Sequence, residues 1–315
     1  MRMPLVAVCL AACSLGPPET DDGIDTTGPL PTPTEQTNTP CDAVDADGDG
    51  VSACDDCSDD DPAVFPGAPE RCDGRDTDCD GVTEPDEVDG DGDGARDCQA
   101  CDDAGYWSET RTLSGDALVA ALHTLSADQV CTNYSLETTW MFTTLDKRSD
   151  GTVECVYTGR TTPVASSKPD ATDMNTEHTW PQSLGAEYPP AECDLHHLFP
   201  TDSDANAARG NLPLDEVVSV DTWWDAPGES ALGDAAGGAR VFEPRDVHKG
   251  NAARALLYFA MRYGYTVSAD DRARYQTWHQ LDPVDADELA RTLAIRDRQG
   301  EANPFVVCPA LVDRW

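Results

Sequence analysis

The sequence predicts an α+β protein, a large mixed domain behind a small irregular module that disulfides and bound ions must stabilise. Three observations predict it. Apolar residues recur at helical spacing in "SGDALVAALHTL" and "GNAARALLYFAMRYGY". The stretch "TVECVYTG" has strand composition and stops at a glycine turn. The first hundred residues have few apolar side chains but many Asp and Cys, so burial alone cannot fold them.

The chain begins "MRMPLVAVCLAACSLG". One Arg precedes a short apolar run, as in a secretory signal, and the run is too short to span a bilayer. Leu10-Ala11-Ala12-Cys13 resembles a bacterial lipobox, which implies residues 1–13 as a lipoprotein-type signal with lipidation at Cys13. An ordinary signal cut at a small residue is the alternative. Residues 14–40, dominated by Pro, Thr, Gly and acids, read as a disordered tether. No second apolar stretch is long enough to cross a membrane, so membrane contact is expected only through a lipid anchor. The expected location is extracellular or in the cell envelope, and the expected state is a monomer.

The 315 residues suffice for one large domain and a small one. They carry 60 acids and 21 bases, a net charge of −39, which repels nucleic acid at long range and attracts divalent cations. Residues 1–105 hold 28 acids and 4 bases, a net of −24, against 32 and 17 downstream, a net of −15. Cys9 and Cys13 belong to the signal. Seven cysteines lie between 41 and 101, so one of them is free, pairs elsewhere or binds metal. Cys131, Cys155, Cys193 and Cys308 can close two bridges in three ways.

Residues 41–105 contain a repeat: Asp45, Cys54 and Cys57 match Asp89, Cys98 and Cys101 at a constant offset of 44. Asp45, Asp47, Asp49 and Gly50, and again Asp89, Asp91, Asp93 and Gly94, have a spacing that converges carboxylates on one hard cation. An EF-hand also needs an acid at the twelfth position, which is Asp56 in the first copy but Ala100 in the second, and flanking amphipathic helices are missing. With "PGAPERCDGRDTDCDG" between the copies, the segment resembles thrombospondin type 3 repeats and a metal-binding motif of bacterial surface proteins. That resemblance implies structural Ca²⁺ on these six aspartates. Cys54, Cys57, Cys98 and Cys101 also have the spacing of a Cys₄ zinc site, but an oxidising compartment argues against it.

From residue 106 the composition is globular. Leu118, Leu122 and Leu125 share one face of the first predicted helix. Ala253, Leu256, Leu257, Ala260 and Tyr263 make a second, buried helix capped by Gly264, with Arg254 and Arg262 at its rim. Two polar clusters stand out, "NTEHTWPQS" at 175–183 and "DLHHLFPTDSDANAARGN" at 194–211. Alone, Glu177 and His178 are a proton shuttle, a metal site or two solvated side chains in a turn. The second cluster adds acid, imidazole, amide and guanidinium at a separation suited to two strands and a helix around a single site.

These two blocks, followed in order by "FEPRDVHKGNAARALLYFAMRYG" and "QGEANPFVV", resemble the endonuclease I family of secreted and periplasmic bacterial nucleases, with its ββα-metal fold. The resemblance spans residues 106–315. It implies nonspecific, metal-dependent cleavage of DNA, often of RNA too, leaving 5'-phosphates. It also implies His178 as general base, with Glu177 and Asn206 as Mg²⁺ ligands. An imidazole deprotonates water near neutrality, and one carboxylate with one amide oxygen leaves most of a Mg²⁺ shell to water and phosphate. Neighbouring residues of a strand point to opposite faces, so a kink is expected at the dyad.

Asp194 and His196 either orient the site or close the loop, and His197 is given no role. Arg209, Lys249 and Arg254 are candidate phosphate contacts, although Arg209 reads slightly better as tying the loop by a salt bridge. Some family members carry a phosphate-steadying Arg between the first two blocks, whereas residues 179–193 contain no Lys or Arg. DNA binding normally rests on basic surface, so this acidic chain needs a local basic groove or screening cations, and binding should be weak and salt-sensitive. Two rivals remain. One is a calcium-binding adhesin with an inactive nuclease-like domain. The other is a zinc hydrolase on Glu177, His196 and His197, which lacks an H-E-x-x-H helix.

Overall fold

The computed structural model describes residues 44–68, 74–82, 98–223 and 229–315. Cys13, the tether and the second Asp triplet (Asp89, Asp91, Asp93) lie outside them. Helices α1 (Gln99–Asp103) and α2 (Trp107–Thr110) lead into α3 (Gly115–Leu125), which buries Leu118 and Leu122 as their spacing predicts. Helix α4 (Tyr134–Trp140) starts at Asn133, whose side chain accepts from Leu136 N, and runs into a wider π-helical turn over Met141–Leu145.

The strand read in "TVECVYTG" is short. β1 (Thr152–Glu154) turns at 155–159 and returns as β2 (Thr161–Pro163). Next comes the hairpin of β3 (Met174–His178) and β4 (Leu198–Asp202), then α5 (Ser203–Arg209). The Asp202 side chain caps α5, accepting from Asp204 N at 3.0 Å. The two polar clusters therefore form two strands and a helix, in the order their spacing implied. Strands β5 (Ser219–Trp223), β6 (Ala231–Asp234) and β7 (Arg240–Glu243) make a separate antiparallel meander.

Helix α6 (Asp246–Tyr263) is the spine of the core and ends at Gly264 in the left-handed conformation, as expected. Helices α7 (Ala269–Leu281), α8 (Ala286–Gln299), α9 (Pro304–Val307) and α10 (Leu311–Arg314) complete the helical side. Gly250 permits close contact between α6 and the end of α7, because a Cβ there would lie 1.8 Å from the Asp282 carbonyl oxygen. Among the described residues no helix is long and apolar enough to cross a membrane.

The disulfides depart from two closed sets. Cys131 pairs with Cys193, but Cys308 pairs with Cys101 across 207 residues, and Cys155 is a buried free thiol. The odd cysteine of the acidic segment thus pairs elsewhere. Cys98, Cys101 and Tyr106 are buried in the main core, so the last turn of the repeat packs with the large domain instead of ending before it. Cys57 pairs with Cys79, and Cys54 and Cys98 are also disulfide-bonded. Sulfurs locked in bridges cannot serve as thiolate ligands, so the Cys₄ zinc alternative is excluded.

Candidate active site and metal-binding loops

Opposite residues in the hairpin pair as Glu177 with Phe199 and His178 with Leu198, with no break in register. The kink expected at the dyad is absent, and the two side chains leave opposite faces of β3. Glu177 is 1% exposed. Its Oε1 accepts from the Tyr157 hydroxyl at 2.8 Å and lies 3.1 Å from Arg209 Nη1. Burial raises its pKa, while Arg209 and Tyr157 oppose that shift. Both partners sit on one oxygen, so Oε2 keeps its coordinating capacity.

Asn175 shares the Glu177 face, two residues earlier on the strand. Asn206 Nδ2 donates to Asn175 Oδ1 at 2.7 Å and to the Thr176 carbonyl at 3.0 Å. This anchors the amide through its nitrogen and leaves Oδ1 as the open acceptor. Arg209, three residues along α5, reaches Glu177 on the same side. The helix therefore lays an amide and a guanidinium along the strand face that carries the carboxylate. The oxygen donors of Glu177 and Asn206 have the chemistry of ligands for a hard divalent cation.

His178 faces other neighbours. Its Nε2 lies 3.1 Å from the Glu192 carbonyl, which only accepts, so Nε2 carries the proton and Nδ1 keeps the lone pair. Tyr134 stacks on the ring at 5.5 Å, and His197 meets it edge-on at 5.6 Å. Burial depresses the His178 pKa to about 4, so the imidazole is neutral at pH 7. Lys168 Nζ sits 5.9 Å above the Tyr134 ring and donates to Thr138 Oγ1 at 3.1 Å. No described carboxylate pairs with it.

Three proposed phosphate contacts are corrected by burial. Arg209 is 2% exposed, and it also donates to the carbonyls of His178 at 3.0 Å and Thr179 at 2.6 Å. Arg254, expected at a helix rim, is fully buried and forks onto both Glu288 oxygens at 2.8 and 2.5 Å. Lys249 is buried against Glu243 and Asp246. These cations are committed to carboxylates and not to a phosphate surface.

Asp194 accepts from Tyr258 and Tyr263 of α6 and from His196 N, and His196 Nε2 lies 2.8 Å from the Glu301 carbonyl. Both close the loop. His197 Nε2 faces the Ala191 carbonyl at 2.7 Å. Glu177, His196 and His197 have separate partners and do not converge, which removes the zinc-hydrolase geometry. Sequence reading missed Tyr157, Asn175, Tyr134 and Lys168. Asn175 was legible as the same-face neighbour of Glu177, but the other three arrive from distant elements.

In the acidic module, Asp45 accepts from Gly48 N at 2.6 Å and Gly50 N at 3.0 Å, Asp47 from Asp49 N, and Asp49 from Val51 N. The carboxylates of Asp47, Asp49 and Asp56 converge within 4.8 Å, as do those of Asp45, Asp47 and Asp59. Asp47 Oδ2, Asp49 Oδ2 and Asp56 Oδ2 are buried with no partner among the described residues. Asp56 thus supplies the acid that the loop spacing asks for. A second loop, unassigned from sequence, repeats the first. Asp76 accepts from Gly81 N, Asp78 from Asp80 N, and Asp80 from Val82 N. Cys79 takes the left-handed position that Gly48 occupies in the first loop, with φ of 59° against 86°. Its disulfide to Cys57 holds it there.

The arrangement defines an α+β protein whose polar site is built on a hairpin–helix unit. Residues 117–310 match the family Endonuclease I, and the chain belongs to that family. Residues 56–87, which include Asp56 and the second loop, match the family described as "Putative metal-binding motif". The chain is 33% identical over 230 residues to an extracellular ribonuclease of Bacillus amyloliquefaciens, covering 66% of this chain and 76% of that protein. It is 31% identical to an extracellular ribonuclease of Bacillus subtilis (strain 168), covering 66% and 77%. A periplasmic deoxyribonuclease of Aeromonas hydrophila is 31% identical over 124 residues, covering 38% of this chain and 50% of that protein.

Proposed function

We propose that this chain is an extracellular or envelope-located, nonspecific endonuclease that hydrolyses DNA and RNA phosphodiesters with one Mg²⁺ ion. The observation that carries the reading is the hairpin–helix seam. There Glu177 and Asn206 present oxygen donors on one face of β3, and His178 keeps a free nitrogen lone pair on the other.

Glu177 and Asn206 would hold the ion, which supplies charge stabilisation at the phosphate and the leaving oxygen. Tyr157 and Arg209 oppose the rise that burial gives the Glu177 pKa, and so favour its carboxylate form. Asn175 and the Thr176 carbonyl fix the Asn206 amide so that its oxygen faces outward. The Glu192 carbonyl fixes the tautomer of His178, leaving Nδ1 to accept a proton from the attacking water. Lys168, above the Tyr134 ring that stacks on His178, would steady a phosphate on that side, where this chain lacks the Arg that some family members carry. Calcium on the Asp45–Asp49 loop, with Asp56, stiffens the acidic module, and the second loop at Asp76, Asp78 and Asp80 is its twin. Lipidation at Cys13 would anchor the protein to a membrane.

Purified protein should nick supercoiled plasmid and degrade RNA with Mg²⁺ and stop with EDTA. H178A should lose at least about a hundredfold in rate while keeping its far-UV spectrum. An H178A variant with full activity would remove this mechanism, and cleavage-incompetent wild type across Mg²⁺, Mn²⁺ and Ca²⁺ would favour the adhesin reading.

A further inference from the structure

Phe199 stands opposite Glu177 in the hairpin, and its ring meets His248 near the start of α6 edge-on at 4.9 Å. Beyond this contact opens a groove of about 760 Å³, within the range of small-ligand sites, roughly 300–1,000 Å³. Its walls come from the π-helical turn, β4, α6 and α8. The hydrolytic scheme above uses none of it.

His248 lines this groove, is 4% exposed, and its Nε2 has no hydrogen-bond partner among the described residues. A buried ring nitrogen left unpaired costs stability, and a hydrogen-bonding ligand seated in the groove would offset that cost. Most charged groups of the lining are already matched, whereas Asp285 and Asp287 at the start of α8 also line it and have no ion-pair partner among the described residues. Arg291 pairs with Asp146 and holds the Leu195 and Leu198 carbonyls, Arg148 pairs with Glu154, and Glu288 pairs with Arg254. Burial, with Arg291, Arg245 and Arg254 nearby, holds the His248 pKa down to about 3, so the ring is neutral.

The floor therefore asks for a neutral hydrogen-bonding group and offers no uncommitted cation to a phosphate. Asn251, also lining the groove, spends Oδ1 on Arg254 at 3.1 Å, and its amide nitrogen remains a donor. At the rim the Lys147 amine donates to the Ala165 carbonyl at 3.2 Å and has no carboxylate partner among the described residues. Neutral hydrogen-bonding groups on the floor, two carboxylates at the start of α8 and one amine at the edge suit a nucleobase, with Lys147 alone placed to meet an attached phosphate. The His248 ring lies 6.0 Å from the Tyr157 ring, whose hydroxyl bonds Glu177. That ties the groove to the candidate site through the buried Tyr157 side chain.

We propose that this groove is a base-binding subsite. His248 Nε2 and Asn251 Nδ2 hydrogen-bond the edge of a nucleobase near the scissile phosphate, and Lys147 meets the adjoining phosphate. The choice of substrate rests on the nuclease reading, but the pocket does not. The subsite gives an otherwise nonspecific enzyme a base preference at one position.

Calorimetric titration of the full protein in EDTA with the four nucleosides and their 5'-monophosphates tests it without catalysis. Wild type should bind at least one nucleoside, and H248F should weaken it about three- to tenfold, the loss of one neutral hydrogen bond. N251D, which keeps the acceptor toward Arg254 and removes the donors, should weaken it similarly and serves if H248F does not fold. K147Q should weaken the monophosphate alone. Oligonucleotides abasic at each position in turn should show a cleavage minimum at one position, flattened in H248F. Nucleoside binding lost in H248F with no cleavage by wild type would leave the subsite and remove the nuclease reading. Normal cleavage with a flat abasic scan, or nucleoside affinity unchanged in both H248F and N251D, would overturn the subsite.

Discussion

Replacing Arg209 by Met separates a structural guanidinium from a phosphate-binding one. Arg209 and Glu177 are 2% and 1% exposed and 3.1 Å apart, and Arg209 also satisfies the carbonyls at the end of β3. At an effective dielectric of about 20 their gross attraction is about 5 kcal/mol. The net effect of removing one member is set by the carboxylate left behind, about 3–5 kcal/mol. R209M should therefore lose that much stability in guanidinium unfolding followed by circular dichroism in EDTA, with an unchanged m-value. E177Q removes the stranded charge, so R209M/E177Q should be less destabilised than the sum of the single variants by about 2 kcal/mol. An R209M variant destabilised by less than 1 kcal/mol, with only its KM for nucleic acid raised, would refute this account and restore Arg209 as a phosphate contact.

Acid should weaken the fold through its buried imidazoles. Unfolded His titrates near about 6.5, whereas burial holds His178 to about 4 and His248 to about 3. Between these values the unfolded chain binds the extra protons, so the contribution is full above pH 6.5 and is lost as pH falls below it. H248F should flatten the slope of stability against pH between 6.5 and 5 by about 1 kcal/mol per pH unit in urea titrations, and an unchanged slope would contradict the depressed pKa. C101S/C308S opens a 207-residue loop and should cost up to about 5 kcal/mol by chain entropy, read as a lowered thermal midpoint. G250A forces a Cβ to within 1.8 Å of the Asp282 carbonyl and should cost at least about 2 kcal/mol, again by denaturant unfolding.

The order of elements around the site was legible because local patterns encode it. Two polar clusters at strand-and-helix separation became β3, β4 and α5, and the apolar spacing of α6 named its buried face and its glycine cap. The Asp45–Asp49 loop was equally legible, since its spacing alone converges the carboxylates. Its twin at Asp76–Gly81 has the same Asp-x-Asp-x-Asp-Gly spacing and was just as legible, whereas only the structure shows that Cys79, bonded to Cys57, takes the left-handed backbone of Gly48.

Burial and partnership were not legible, because they belong to the whole chain. Arg254 reads as a rim cation from helical phase, yet α8 brings Glu288 onto it and seals it in the core. Cys308 looks like a partner for its own domain until α1 presents Cys101. The sequence by itself determined the hairpin–helix order and the carboxylate spacing of the first acidic loop, and it singled out Glu177, His178 and Asn206 as candidates. Only the tertiary structure decided that Glu177 and His178 face apart, that Arg209 serves the carboxylate, and that His248 is left with an open nitrogen. Side-chain alternation and loop spacing are set within a few residues, whereas charge pairing and desolvation depend on surfaces brought together from a hundred residues away.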